Sequence, residues 1–211
     1  MYYNEIQIVS ELLYEHVQGD GILSQSSDKN LATWNVAWSE NIEDSTISLI
    51  ALVGEGLISI WKYKNGAVAK NPSSVQIHTG CRITSVVFGP LGKIVACAST
   101  DGTVIVFDIV CQAEEYILKE RKRILQPFCT ISTLLVTHVD GPVLFATNQD
   151  VYTLSLDAFT SQAIRIAQYT SVISSMAFND RDQYLYTSLY DGAIMGMYLN
   201  GTETASTIWY V

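Results

Sequence analysis

The feature that most restricts this chain is a pattern that returns at intervals of 43 to 47 residues. Residues 32–63, 83–109 and 172–199 share one order: a β-run ending in an aromatic, a gap, a strand of small and apolar residues, a tight turn, and a second apolar strand. Their turns are Glu55-Gly56, Asp101-Gly102 and Asp191-Gly192, and a degenerate copy, Ile131–Leu156, holds Asn148-Gln149 in the same place. The first residues of these pairs stand at 55, 101, 148 and 191, so the spacings are 46, 47 and 43. Repetition at that period, written in short strands, predicts propeller blades. A blade cannot bury both of its faces alone, so blades stack into a shared core and leave loops and rims free.

The second copy is the clearest. Ile83–Phe88, Ile94–Ala98 and Thr103–Ile109 read as its inner strands, apolar on both faces as a strand between two neighbours must be. Around them the reading places strands at Ala32–Trp38, Thr46–Val53, Gly56–Lys64, Val143–Ala146, Val151–Leu156, Ile173–Phe178, Tyr184–Ser188 and Ala193–Leu199, with a short outer strand at Val75–His78. The charged passage Glu114–Arg123 is expected to hold an outer strand and a crossing loop. Blade-to-blade contacts are expected from Ile50, Ile60, Val86, Ile105, Phe107, Leu185 and Ile194. The fold class is therefore an all-β propeller of about four to five blades, its ring incomplete or a fragment of a longer chain. Residues 1–31 form an N-terminal partial blade or closing strand, and blades follow at about 32–80, 81–125, 126–170 and 171–211.

Composition narrows the function. With 48% apolar and only 16% charged residues the chain can build a core. A net charge of −9 argues against a general binder of polyanions, which needs clustered Lys and Arg, and points to protein partners. There is no export signal at the start and no long apolar run, so an intracellular place is expected, the nucleus ahead of the cytoplasm. Cys81, Cys97, Cys111 and Cys129 lack Cys-x-x-Cys spacing and lie in or beside apolar strands, which predicts buried thiols.

Ser99-Thr-Asp-Gly-Thr-Val-Ile-Val-Phe-Asp108 resembles the end of a WD repeat, with Phe107-Asp108 at the Trp-Asp position; Trp61-Lys62 and Met197-Tyr198 hold that place in neighbouring copies. The resemblance covers roughly residues 32–199. It implies a WD-repeat propeller serving as an interaction scaffold, although no copy has the family's Gly-His pair or full Trp-Asp dipeptide. A narrower resemblance rests on Thr33-Trp-Asn-Val-Ala-Trp-Ser39, an acidic insert, Leu49–Trp61 and Ser171–Thr202. It is similar to a divergent WD-repeat subunit of transcription factor TFIIIC, which recruits the RNA polymerase III machinery. The alternatives are a scaffold propeller of a trafficking coat, nuclear pore or ubiquitin ligase receptor, direct nucleic-acid binding, or an unrecognised hydrolase.

No catalytic constellation is legible. His16, His78 and His138 stand in no recognisable catalytic or metal-binding frame, and Glu40, Glu43 and Asp44 form an acidic loop, so no enzyme activity, metal or cofactor is expected. Lys119, Arg121, Lys122 and Arg123 are four of only twelve cationic residues. They could touch a phosphate backbone or an acidic partner, or form a solvated loop balanced by Glu114, Glu115 and Glu120. Trp38 and Trp61 occupy core positions, whereas Trp34, Trp209 and Tyr210 are candidate partner contacts, the last two on a strand with an open edge.

Overall fold

The computed structural model describes residues 35–40, 46–54, 56–65, 67–69, 72–77, 82–112, 115–126, 130–138, 140–157, 162–199 and 206–210, with Glu40 and the last strand as backbone. They form a four-bladed β-propeller. The first blade is an antiparallel sheet of β1 (Asn35–Glu40), β2 (Ile47–Val53) and β3 (Leu57–Lys64), against whose free edge lie β4 (Ala67–Val68) and β5 (Ser73–Gln76). The second runs β6 (Ile83–Phe88), β7 (Ile94–Ser99), β8 (Thr103–Gln112) and β9 (Glu115–Leu125). β10 (Thr133–Val136), β11 (Val143–Ala146), β12 (Asp150–Leu154) and β13 (Ile164–Gln168) make the third. The fourth is β14 (Ile173–Asn179), β15 (Tyr184–Leu189), β16 (Ala193–Tyr198) and β17 (Ser206–Tyr210). Strand order equals chain order in the last three sheets, as short hairpins impose.

The blades stack through their first strands, β1 beside β6, β6 beside β10 and β10 beside β14. Three apolar cores fill the gaps. Leu49, Ala51 and Ile60 of the first blade pack against Val86, Cys97, Ile105 and Phe107 of the second. The second blade's other face, with Ala96, Val104 and Val106, meets Leu134, Phe145 and Leu154 of the third. Leu144, Ala146 and Val151 then meet Met176, Leu185 and Met197 of the fourth. Period-two alternation on each strand is what feeds two cores at once.

The recurrence seen in the sequence has a hydrogen-bond counterpart. In three blades the residue after the outer strand donates its N–H to the turn between the second and third strands: Ile77 to Gly56 (2.5 Å), Gln126 to Gly102 (2.9 Å) and Tyr169 to Gln149 (2.8 Å). Gly102 and Gly192 take φ of +87 and +90, values that L side chains rarely adopt. Gln149 is not among the residues of positive φ, so the degenerate copy turns by a different backbone path.

Several expectations are corrected. Glu115–Leu125 is one continuous outer strand, leaving no crossing loop within it. Ile50 faces away from the second blade and packs with Leu52 and Trp61, and Ile194 lies outside the core that Leu185 joins. Trp38, expected in the core, is 36% exposed and rests edge-on against Tyr63, 5.3 Å between ring centroids. Cys97 is buried, but Cys111 is exposed, because it lies near the end of β8, where the strand's burial has fallen away. The outer strand of the first blade, β5, is Ser73–Gln76, beginning earlier than the expected Val75–His78. The expected N-terminal partial blade, Trp34, His16, His78, Cys81, Cys129, Glu43 and Asp44 lie outside the described residues.

Candidate partner-binding surfaces

The basic residues of β9 were the strongest charge feature of the sequence, and the strand divides them. β9 pairs with β8 through Asp108↔Lys119, Phe107↔Glu120, Val106↔Lys122 and Ile105↔Arg123, with an irregularity between Val106 and Phe107 that leaves Arg121 as the extra residue. Alternation then sends Lys122 to the side of Val106, facing the third blade, and Arg123 to the side of Ile105, facing the first.

Each placement is matched by a contact. Arg121 forms ion pairs with Asp108 at 3.4 Å and with Asp140 of the third blade at 3.2 Å. Lys122 donates Nζ hydrogens to the carbonyls of Ser155 (2.7 Å) and Asp157 (2.6 Å), which also belong to the third blade. Arg123 grips Glu120 with Nε at 3.0 Å and Nη2 at 2.7 Å, a two-point contact of guanidinium and carboxylate. That hydrogen bonding holds the Glu120 carboxyl below the usual range, against the opposing effect of partial burial. Lys119 is exposed on the strand. Arg121 and Lys122 thus fasten the second blade to the third.

The turn acid of the second blade is also structural. Asp101 Oδ1 accepts hydrogen bonds from Ser99 Oγ and from the Thr103 N–H at 2.9 Å. Partial burial pushes its pKa upward, but these hydrogen bonds outweigh it and the carboxyl sits below its ordinary value. Asp191 repeats the bond in the fourth blade, accepting from the Ala193 N–H at 3.0 Å. Cys97 is enclosed in the first core, and burial pushes its thiol up to about 12, which keeps it inert. His138 is half exposed and pairs with Asp180 at 3.3 Å across the third and fourth blades, its ring edge-on to Phe178.

Among the described residues no group of three or more His, Cys, Asp or Glu could hold a metal ion. No helix among them is long and apolar enough to cross a membrane. Trp209 and Tyr210 lie on β17, opposite Ile194 and Ala193 of β16, so the strand that carries them is the outer strand of the fourth blade. Sequence reasoning missed the exposed aromatic surface of that blade. Tyr190 is 76% exposed at the turn and Tyr186 is 37% exposed on the sheet face. The period-two placing of Tyr184, Tyr186 and, across the turn, Tyr198 was the signal that could have found it.

A family model described as WD domain, G-beta repeat matches residues 70–108. The matched stretch begins in front of β5, the outer strand of the first blade, and ends in β8, so the repeat unit of the sequence straddles two blades. It includes the Asp101-Gly102 turn and Phe107-Asp108. No curated protein matches the chain.

Proposed function

We propose that this WD-repeat-like propeller is a non-catalytic scaffold subunit, binding other proteins of a multi-subunit assembly through its rims, turns and blade faces. One observation carries the reading: among the described residues, each titratable group displaced from its ordinary behaviour has a cause inside the fold. Cys97 is displaced by burial, Asp101 by its turn, and Glu120 and Arg123 by each other. All four groups lie in the second blade, where burial and hydrogen bonding hold its strands and its turn in place. The narrower reading, a subunit of the TFIIIC assembly acting in the nucleus, is supported by the resemblance at Thr33–Ser39, Leu49–Trp61 and Ser171–Thr202.

Affinity purification of the full-length protein from its native cell in moderate salt, with mass spectrometry of what accompanies it, tests both levels. Stoichiometric recovery of RNA polymerase III factor subunits is the expected result. Recovery of coat, pore or ubiquitin ligase subunits discards the narrow reading and keeps the scaffold. A protein that purifies alone contradicts both.

A further inference from the structure

The first blade has one face in the core it shares with the second blade and another that is just as dry. Leu49, Ala51 and Val53 of β2 point toward the second blade, so Ile50 and Leu52 point the other way. Cross-strand register sets Ile50 between Trp38 and Trp61, and Leu52 between Val36 and Ser59. Ile50, Leu52 and Ser59 are fully buried and Trp61 nearly so, while Val36 and Trp38, at the β1 rim of the same face, are exposed.

The blade cannot roof this face by itself. The flanks of Leu52 are an exposed valine and a serine with a shorter side chain, so its complete burial needs a second layer above the sheet. The partly buried residues that pack with Ile50, Leu52 and Trp61 are Tyr63 and Val68, both of the same blade. β6 and β9, which lie against the first blade, belong to the second blade and stand on the Ala51 side. The fourth blade is not the roof either, because Ala177 and Tyr186 on its outward face are exposed. The burial is that of one chain, so the cover is a segment of this chain and not a second copy.

From this we infer that residues 1–34 cover the outer face of the first blade as a partial fifth blade, and so belong to the packed body of the protein. Length selects them: every other stretch outside the described residues holds six residues or fewer, too few to span a sheet of three strands. Continuity selects them as well, since residue 34 runs directly into β1, whose Val36 and Trp38 lie on the covered face. The segment has the apolar residues for the task, with Ile6, Ile8, Leu12 and Leu13 before the Gly19-Asp20-Gly21 turn and Ile22 and Leu23 after it. The alternative place, a closing strand on the fourth blade, is already filled, because β17 is that blade's fourth strand.

Photo-crosslinking of the full chain tests this, with benzoylphenylalanine in place of Trp38 and, in a second variant, of Val36, both on the exposed rim of the face. Mass spectrometry is expected to find each joined to a peptide from residues 1–34. Crosslinks to the fourth blade, to a second copy, or only within the first blade would overturn the inference. Thiol labelling gives an independent reading. The buried thiol of Ser59→Cys is expected to resist labelling, and to react at least about tenfold faster when Leu12→Asp and Leu13→Asp are added, with Cys97 still protected. Adjacent residues of a strand point to opposite sides, so one of that pair meets the face in either register. A labelling rate that the double substitution leaves unchanged would count equally against it.

Discussion

Asp101 and Thr187 are opposite cases of a polar side chain inside a blade. Asp101 satisfies Ser99 and the Thr103 N–H, and its carboxyl is depressed. Its contribution to stability is therefore present above the unfolded-state value of about 3.9 and is lost as pH falls through the lower folded value. Asp101→Ala is expected to destabilise the fold by about 1 kcal/mol in denaturant titrations at pH 7, and by less at acid pH. Thr187 is fully buried, and its Oγ1 has no hydrogen-bond partner among the described residues. Thr187→Val, similar in shape without the hydroxyl, is expected to stabilise by about 1 kcal/mol, read as a raised melting temperature. Thiol labelling separates the two described cysteines: Cys111 is expected to react in the native protein, and Cys97 only after unfolding, as peptide mapping would show. These differences were not legible in the sequence. Cys97 and Cys111 share residue type and strand context, as do Trp61 and Trp38, and only their place in the packed sheet decides which is covered.

At the scale of the element, β9 is the most informative. Its charges suggested an outer strand broken by a crossing loop, yet its sequence also carries Ile117, Leu118, Ile124 and Leu125, and an outer strand is allowed to be charged throughout because its far edge meets solvent. β13 was illegible for a related reason: most of its residues are half or fully exposed, so no strong apolar alternation marks it. The inner strands β6, β7 and β8 were legible because burial on both faces leaves an almost uninterrupted apolar run. The role of β9 as a fastener gives a prediction. Lys122→Met keeps the stem and removes the ammonium from Ser155 and Asp157, and it is expected to cost about 1 to 3 kcal/mol in chemical denaturation. Reversing all four cations would therefore mix lost stability with lost binding. Lys119→Glu alone is the cleaner probe of nucleic-acid contact, and the scaffold reading expects it to leave affinity for short DNA unchanged.

For the whole molecule, the period of the sequence foretold the stacking, since each blade is one copy of the pattern and each core is shared by two blades. The side chains that fill these cores bind neighbouring blades into one body. Phe107 belongs to the core between the first and second blades, and Phe145 to the one between the second and third. Replacing either with Ala is expected to remove about 3 to 5 kcal/mol and to loosen two blades together. Native-state amide exchange, followed peptide by peptide, tests this mutual support most directly. The second strands β2, β7, β11 and β15 are expected to exchange slowest, at similar rates in all four blades and through one cooperative opening. A blade whose second strand exchanges orders of magnitude faster than the others, opening by itself, would contradict the stacked propeller on which the functional reading rests.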